Sequence, residues 1–217
     1  MINWKNIETV LLDMDGTLLD LQFDNYFWQT LVPSRYAERE NLSFDQAVSH
    51  LAPIFKSQEG LLNWYCLDYW SDRLRLDVAD LKVQAQESIS ELPSTRLFLQ
   101  ALNESGKRCV LVTNAHAESL RIKMKKTGLI GFFDATVSAH DLGYPKENQG
   151  FWQAFHTLEK FDRLKTLLVD DSLSVLQAAD TFGVEYLVAI TQPDSSAPTR
   201  IVHDFIAVED VGKIMPI

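Results

Sequence analysis

A short apolar run that ends in two aspartates constrains the fold of this chain more than any other feature. Residues 9–12 form the run, Asp13 and Asp15 follow it, and Gly16 and Thr17 come next. Two carboxylates this close raise each other's pKa and attract a cation. The carboxyl end of a strand in an open parallel sheet is also where α/β proteins place their chemistry. An ordinary strand followed by an Asp-Gly turn is equally consistent with the pair alone, so its meaning depends on the rest of the chain.

The composition is that of an acidic globular protein. The chain has 217 residues, enough for one large domain or for a core with a smaller insertion, and 46% of them are hydrophobic. Its formal net charge of -10 argues against a nucleic-acid polymer or an anionic membrane as the partner. A small anionic substrate stays compatible with this charge, because a metal ion and a lysine can reverse the local field.

Cysteine usage and the N-terminal residues both indicate a cytoplasmic protein. Cys66 lies in a predicted helix and Cys109 in a predicted strand, and both are interpreted as reduced buried thiols. Residues 1–5 lack the apolar core of a signal peptide, and no apolar run approaches the ~20 residues of a membrane span. We therefore expect a cytoplasmic protein that does not bind membranes.

Strand-like apolar runs alternate with helical patterns along most of the chain. This alternation predicts right-handed βαβ units and a mostly parallel sheet with helices on both faces. Strands are predicted at residues 9–12, 108–112, 135–139, 166–169, 185–190 and 205–208. Four helices are predicted between these strands: one between the Ser94 cap and Gly106, one at 115–127 that ends at Gly128, one at 149–160, and one between the Ser172 cap and Gly183. Residues 191–199 are predicted to form a surface connection.

The block between the first two strands carries only helical patterns. Such a block cannot belong to the sheet, so we predict a core of residues 1–20 and 92–217 and an inserted helical domain of residues 21–91 above the strand ends. Four helices are predicted in this block. The first covers residues 24–40, the third covers 61–74, and the fourth runs from Asp77 to Glu87. The second begins with a capping box at Ser43 and is kinked or ended by Pro53.

Polar side chains also follow the later strands. Thr113 and Asn114 follow the second strand, Lys146 lies in the loop after the third, and Asp170 and Asp171 follow the fourth. In a parallel sheet these strand ends lie at the same edge, so the groups can converge with the first two aspartates. Three or four carboxylates beside a lysine and a hydroxyl suit Mg²⁺ and a phosphoryl group rather than zinc.

Together these residues resemble the four motifs of the haloacid dehalogenase-like hydrolases. Residues 13–17 match the first and most specific motif, and Thr113-Asn114, Lys146 and Asp170-Asp171 match the others in order. The helical block lies where that family carries its type-1 cap, so the resemblance spans essentially the whole chain. It implies a Rossmann-like α/β core with helices on both faces and an inserted all-helical cap.

The resemblance implies a role for each matching residue. Asp13 would be the nucleophile that forms an aspartyl-phosphate, and Asp15 would be the general acid and then the general base. Mg²⁺ would be bound by Asp13, the backbone carbonyl of Asp15, and Asp170. Asp171 and Thr17 would lie around the metal ligands. The phosphoryl oxygens would be bound by Thr113, the Asn114 amide and Lys146.

Asp15 also narrows the chemistry that the resemblance implies. Dehalogenase members lack an acid/base carboxylate there, because halide leaves without a proton, so Asp15 favours phosphate esters. A phosphonatase would use a cap lysine to form a Schiff base. Lys56 and Lys82 are the candidates, and both are interpreted as solvated surface lysines.

Aromatic residues are concentrated in two stretches of the helical block, residues 23–28 and 63–70. They predict either the core of a small bundle or a partly aromatic pocket for a planar base, where stacking contributes ~1–3 kcal/mol per base. The candidates for substrate contacts are Asn25, Tyr26, Asn63 and Trp64.

Segments of both predicted domains resemble the bacterial GMP/IMP nucleotidases of this family, namely 23–28, 62–70, 113–116 and 143–147. That resemblance implies Mg²⁺-dependent hydrolysis of purine nucleoside 5′-monophosphates, IMP and GMP, to nucleoside and phosphate. A phosphatase or phosphomutase for a small sugar phosphate or a phosphoglycolate-like substrate is the alternative. A non-catalytic binding protein is disfavoured by the intact motifs. His116 either touches the phosphate or ribose or is an exposed first-turn histidine; the other histidines are assigned no role.

Overall fold

A six-stranded parallel sheet forms the centre of the protein. The computed structural model describes residues 2–216. The strand order is β3-β2-β1-β4-β5-β6, and every neighbouring pair is parallel, which confirms the predicted fold class. The strands are β1 (Thr9–Leu12), β2 (Arg108–Thr113), β3 (Ala135–Ser138), β4 (Thr166–Asp170), β5 (Tyr186–Ile190) and β6 (Ile206–Val208).

The central strand β1 is buried on both faces. Val10 and Leu12 pack into one hydrophobic cluster, which includes Phe98, and Leu11 packs into a second cluster with Phe151. A strand covered on both sides reads as a continuous apolar run, which is why residues 9–12 could be recognised. The helices between the strands are α6 (Thr95–Glu104), α7 (Ala117–Thr127), α8 (Ala139–Leu142), α9 (Gln149–Leu158) and α10 (Leu173–Phe182).

Secondary structure between residues 22 and 88 is entirely helical. Trp70 is buried, and its ring lies 5.0 Å from that of Phe55 and 5.9 Å from that of Trp28, so these aromatic residues form the core of this segment. We call residues 22–88 the helical segment. It contains α1 (Gln22–Tyr26), a π-helical turn (Phe27–Leu31), α2 (Val32–Glu40), α3 (Phe44–Lys56), a 3-10 turn (Leu62–Tyr65), α4 (Leu67–Leu74), α5 (Val78–Gln84) and a second 3-10 turn (Gln86–Ser88).

Two extended connections join the helical segment to the sheet. They run side by side: the Asp20 backbone N–H donates to the Ser90 carbonyl, and the Leu92 N–H donates to the Leu18 carbonyl, each at 2.9 Å. The predicted boundaries at 20/21 and 91/92 fall at these connections. The division into two domains stays a prediction.

Some local predictions were wrong. The capping box at Ser43 is present. Pro53 was predicted to kink or end the helix; an end there is wrong, since α3 continues to Lys56, because a proline so near the end of a helix removes only one late hydrogen bond. The helix predicted at 61–74 is broken at Cys66, whose extended backbone separates the 3-10 turn from α4. Ser94 and Ser172 precede their helices as predicted, but neither side chain makes a capping hydrogen bond.

The loop predicted at 191–199 as a surface connection is partly buried. Asp194 is only 8% exposed, and its carboxylate accepts a hydrogen bond of 2.7 Å from the Asn25 amide. The Pro193 carbonyl accepts from the Leu21 N–H, and the Ser195 N–H donates to Asp20. This loop therefore packs against the start of the helical segment.

Candidate active site

The ends of neighbouring strands bring the predicted acidic residues together. Asp13 directly follows β1, and Asp170 is the last residue of β4, whose parallel register pairs Leu12 with Val169. Carboxylate oxygens of Asp13, Asp170 and Asp171 all lie within 4.8 Å of one another. The parallel pairing of β1 with β4 thus brings Asp13 and Asp170, which are more than 150 positions apart in sequence, into one acidic cluster.

The buried Lys146 lies between two of these carboxylates. Its Nζ is 2.5 Å from Asp13 Oδ1 and 2.7 Å from Asp170 Oδ2, and it donates to the Val112 carbonyl at 3.1 Å. The backbone N–H of Lys146 donates to Asn114 Oδ1 at 2.8 Å. A single lysine in a loop is an unspecific sequence motif, but these contacts place Lys146 in the acidic cluster.

Burial makes the acidic cluster hold protons more tightly than exposed carboxylates do. Burial raises the pKa of Asp13 to about 6; Lys146 opposes this rise and Asp170 adds to it. Burial also raises the pKa of Asp170, and it raises that of Asp171 well above its usual range. Three carboxylates facing one lysine leave excess negative charge when ionised. Their oxygen atoms fit a hard divalent cation such as Mg²⁺.

Asp15 faces a different set of residues. Lys123 Nζ is 2.6 Å from Asp15 Oδ1 and 2.5 Å from Asp24 Oδ2, and Lys82 Nζ is 2.9 Å from the other oxygen of Asp24. Lys82 also donates to the Ser119 hydroxyl at 3.0 Å. Both lysines are almost fully buried. The interpretation of Lys82 as a solvated surface lysine was therefore wrong, because α5 packs this residue against α7.

The two lysines give the neighbouring carboxylates opposite pKa shifts. Burial raises the pKa of Asp15 to about 6, although Lys123 opposes the rise. Asp24 is also buried, but Lys123 and Lys82 together outweigh that effect and lower its pKa to about 2. Burial lowers the pKa of Lys82, while the two carboxylates raise that of Lys123 against the effect of burial. Asp24 is thus a fixed anion, and Asp15 can exchange a proton near neutral pH.

The turn after the first motif is tightly packed. Gly16 has a φ of +84°, and a Cβ at this position would lie 2.8 Å from Asp171 Cγ and 2.9 Å from Pro193 Cβ. Glycine is therefore needed here for both its backbone conformation and its small size. Thr17 is fully buried, and its hydroxyl oxygen has no hydrogen-bond partner among residues 2–216.

The second motif is linked to the helical segment through Glu147. The Asn114 amide donates to one carboxylate oxygen of Glu147 at 3.0 Å, and the Tyr65 hydroxyl donates to the other at 2.8 Å. The Thr113 hydroxyl accepts from the Ala115 N–H at 3.0 Å. Glu147 directly follows Lys146, but sequence patterns gave it no individual role.

A cavity of about 400 Å³ lies above the acidic cluster. Asp13, Asp170 and the other motif residues line one side, and the aromatic residues Trp28, Phe55 and Trp64 of the helical segment line another. The cavity therefore joins a charged end to an apolar wall. Trp28 lies in the 23–28 stretch, for which a pocket was one of two alternatives, but it was not named as a candidate, and Phe55 lies outside both stretches. Aromatic residues at helical spacing also indicate a bundle core, which these two residues form as well.

Of the four residues proposed for substrate contacts, two line the cavity and two do not. Asn25 and Trp64 line the cavity, but the Asn25 amide already donates to Asp194. Tyr26 is 47% exposed, and Asn63 is exposed and donates to Gln58; neither lines the cavity. His116 is also not among the lining residues.

Comparisons with known proteins establish the family. Residues 7–183 match the family model described as haloacid dehalogenase-like hydrolase. The chain is a haloacid dehalogenase-like hydrolase. It is 40% identical over 215 residues to the GMP/IMP nucleotidase YrfG of Escherichia coli (strain K12), covering 99% of this chain and 97% of that protein. The same values hold for the GMP/IMP nucleotidase YrfG of Shigella flexneri.

Solved structures of this family share the fold across different chemistries. A phosphatase of the family from Thermococcus onnurineus has a TM-score of 0.80 at 20% identity, with 96% of each chain covered. An L-2-haloacid dehalogenase from Xanthobacter autotrophicus has a TM-score of 0.63 at 18% identity, also over 96% of each chain.

The sequence relatives identify this haloacid dehalogenase-like hydrolase as a phosphoric monoester hydrolase. Within residues 2–216, no helix has both the length and the apolar character to cross a membrane.

Proposed function

We propose that this enzyme hydrolyses purine nucleoside 5′-monophosphates, with IMP and GMP as substrates, and that it uses Mg²⁺. The observation that carries the proposal is the cavity, which joins the strand-end carboxylates and Lys146 to the aromatic wall of the helical segment. A nucleotide has the matching division into an anionic phosphate and a planar base. The name of the 40% identical relative supports the same substrate class.

The first half of the proposed reaction transfers the phosphoryl group to Asp13. A carboxylate oxygen of Asp13 attacks phosphorus, the bond from phosphorus to the ribose 5′ oxygen breaks, and Asp15 donates a proton to that oxygen. Lys123, 2.6 Å away, stabilises the carboxylate that Asp15 becomes. Lys146 supplies positive charge beside the nucleophile, where the transferring group carries negative charge.

The second half releases phosphate. Asp15 accepts a proton from water as the water oxygen attacks phosphorus, and the bond between phosphorus and Asp13 breaks. Asp13, Asp170 and the Asp15 backbone carbonyl would hold Mg²⁺, with Asp171 and Thr17 around them. When bound, this ion neutralises charge on the phosphoryl oxygens.

The helical segment is proposed to act as a cap that selects the substrate. Its aromatic residues Trp28, Phe55 and Trp64 face the same cavity as the acidic cluster, so a base can contact them while its phosphate reaches Asp13. A small sugar phosphate would leave this apolar wall uncovered. The cytoplasmic location inferred from composition remains a prediction.

Phosphate release with Mg²⁺ from a panel of nucleotides and sugar phosphates tests the proposal. We expect IMP and GMP to give the highest kcat/KM and to release one phosphate per nucleoside formed. The Trp64→Leu variant should raise KM for IMP while changing hydrolysis of a small alkyl phosphate little, since an alkyl phosphate has no planar ring to stack on the aromatic wall. A clear preference for sugar phosphates would reject the substrate assignment, and retention of the phosphoryl group on the product would favour a phosphomutase.

A further inference from the structure

A cluster of metal-binding side chains lies outside the cavity. The Cys66 sulfur and one ring nitrogen each of His116 and His140 all lie within 4.8 Å of one another. Cys66 lies in the helical segment, His116 precedes α7, and His140 lies in α8. Asp68 Oδ2 is 3.6 Å from His116 Nε2 and adds an acidic oxygen. Residues from separate parts of the chain thus converge at the boundary between the helical segment and the remaining described residues, 2–21 and 89–216, which we call the sheet domain.

The side chains of this cluster make few other contacts. The Cys66 sulfur accepts one long hydrogen bond, of 3.4 Å, from the Tyr69 N–H at the start of α4. His140 Nε2 is buried and has no hydrogen-bond partner among residues 2–216. The Nδ1 atom of His116 accepts from the Glu118 N–H at 3.4 Å, which leaves Nε2 directed at Asp68. The two rings are nearly perpendicular, at 85°, with centroids 5.1 Å apart. Buried polar atoms are normally paired, so the unpaired nitrogen is consistent with a ligand at this place.

The donor types differ from those of the acidic cluster. Sulfur and imidazole nitrogen suit Zn²⁺ and similar transition metals, whereas carboxylate oxygens suit Mg²⁺. Structural zinc sites take four such ligands in tetrahedral geometry. Cys66, His116 and His140 supply three convergent donors of suitable kinds. Asp68 is not part of that group of three, but its exposed carboxylate lies beside His116 and can supply a fourth donor by a change of side-chain rotamer. Cys66 is half-buried and Asp68 is exposed, so an ion can enter from solvent.

We propose that Cys66, His116 and His140, with Asp68 as a fourth ligand, form a binding site for a transition-metal ion of the zinc class. The ion would bridge the two sides of the boundary, since Cys66 and Asp68 belong to the helical segment and the two histidines to the sheet domain. It would therefore hold the helical segment against the sheet. The site is separate from the proposed Mg²⁺ site in both residues and donor chemistry.

A Co²⁺ titration of the reduced full-length protein tests the site without any measurement of turnover. Excess Mg²⁺ keeps the acidic cluster occupied, and carboxylate ligands give no sulfur-to-metal absorption. We expect one equivalent of Co²⁺ to produce a thiolate-to-cobalt charge-transfer band, which Zn²⁺ abolishes by displacement. Cys109 is fully buried and burial raises its pKa to about 12, so its thiol does not contribute.

Variants separate the proposed ligands from other residues. Cys66→Ser should lose the charge-transfer band, and His140→Gln should weaken Co²⁺ binding by at least about tenfold. Asp68→Asn, at an exposed position where folding is not at risk, should keep the band and lower the affinity. His203→Gln alters an exposed histidine and should behave like the wild type.

Three results would overturn the site: no charge-transfer band in the wild type, a band that persists in Cys66→Ser, or unchanged affinity in both His140→Gln and Asp68→Asn. Thermal unfolding of each variant shows whether it remains folded. Because the readout is spectroscopic, this outcome is independent of whether the enzyme hydrolyses nucleotides.

Discussion

Two aspartates that are separated by one residue contact different cations, and we propose different functions for them. Asp13 faces Lys146, which it shares with Asp170, and Asp15 faces Lys123, which it shares with Asp24. Burial raises the pKa of both to about 6. These contacts support the proposed roles: Asp13 as the nucleophile among the metal-binding carboxylates, and the Asp15 carboxyl group as the proton carrier beside Lys123.

Asp13→Asn should abolish turnover, because an amide oxygen does not replace the carboxylate as a nucleophile. We expect kcat to fall by at least about a thousandfold, which is typical of the removal of a nucleophile. The substitution removes a buried charge and keeps the side-chain shape, so thermal unfolding should occur at or above the wild-type temperature. Near-normal activity in Asp13→Asn would contradict the covalent mechanism.

Lys123→Met should destabilise the protein and impair catalysis. The substitution leaves Asp15 without its cation and removes one of the two cations beside Asp24, and breaking a buried ion pair costs about 3–5 kcal/mol. Denaturant unfolding measures the loss. Lys125→Met is the matched control, because Lys125 lies on the same helix and is exposed. Equal stability of the two variants would show that the buried lysine cluster does not stabilise the fold.

At the scale of elements, the sequence predicted the strands well and the buried lysines poorly. β1 is recognisable because both of its faces are covered, so all four residues are apolar or β-branched. Lys123 lies between Ile122 and Met124, and a lysine in a helix usually lies on the solvated face. Its burial depends on the packing of α5 against α7, which no local pattern contains. Cys66 likewise looks helical in sequence, but its backbone is extended.

Gly16→Ala should disrupt the turn that connects β1 to the helical segment. Its φ is +84°, and the added Cβ would lie 2.8 Å from Asp171 Cγ and 2.9 Å from Pro193 Cβ. We expect a loss of about 1–3 kcal/mol in unfolding free energy and a large fall in kcat, because Asp171 must move. Gly60→Ala is the control: Gly60 has a φ of +76°, but nothing lies within 4 Å of its Cβ position. It should lose some stability and keep its activity, whereas unchanged kcat in Gly16→Ala would refute the effect on Asp171.

Asp24 should make a contribution to stability that depends on pH. Its pKa is about 2 in the folded protein against 3.8 normally, so the ionised group stabilises the fold above pH 3.8. That contribution, about 2 kcal/mol, is lost as the pH falls toward 2. Asp24→Asn should therefore be less stable than the wild type at neutral pH, and urea unfolding should show the difference shrinking through this range. A difference that is independent of pH would contradict the charged pairing with Lys123 and Lys82.

At the scale of the whole molecule, the active site depends on how the helical segment sits on the sheet. Among the contacts that cross this boundary are those of Tyr65 with Glu147, of Asp24 with Lys123, and of Lys82 with Ser119. Glu147 directly follows Lys146, and Lys123 contacts Asp15. A movement of the helical segment would therefore affect both of these proposed active-site residues. The sequence predicted the presence of the insertion, but not these contacts, because each joins residues from distant parts of the chain.

Removal of divalent metal should both stop turnover and lower the stability of the whole protein. The carboxylates of Asp13, Asp170 and Asp171 converge from the ends of β1 and β4, so an ion that binds them stabilises the folded state alone. EDTA should abolish activity, and Mg²⁺ should restore it. At about 100 times its dissociation constant, Mg²⁺ should add about 2.7 kcal/mol to the free energy of unfolding. Asp170→Asn should lose most of this Mg²⁺-dependent shift, whereas Asp180→Asn, which changes an exposed acid on α10, should retain it. Turnover that continues in EDTA, or an equal Mg²⁺ shift in both variants, would contradict the assignment of the metal to this cluster.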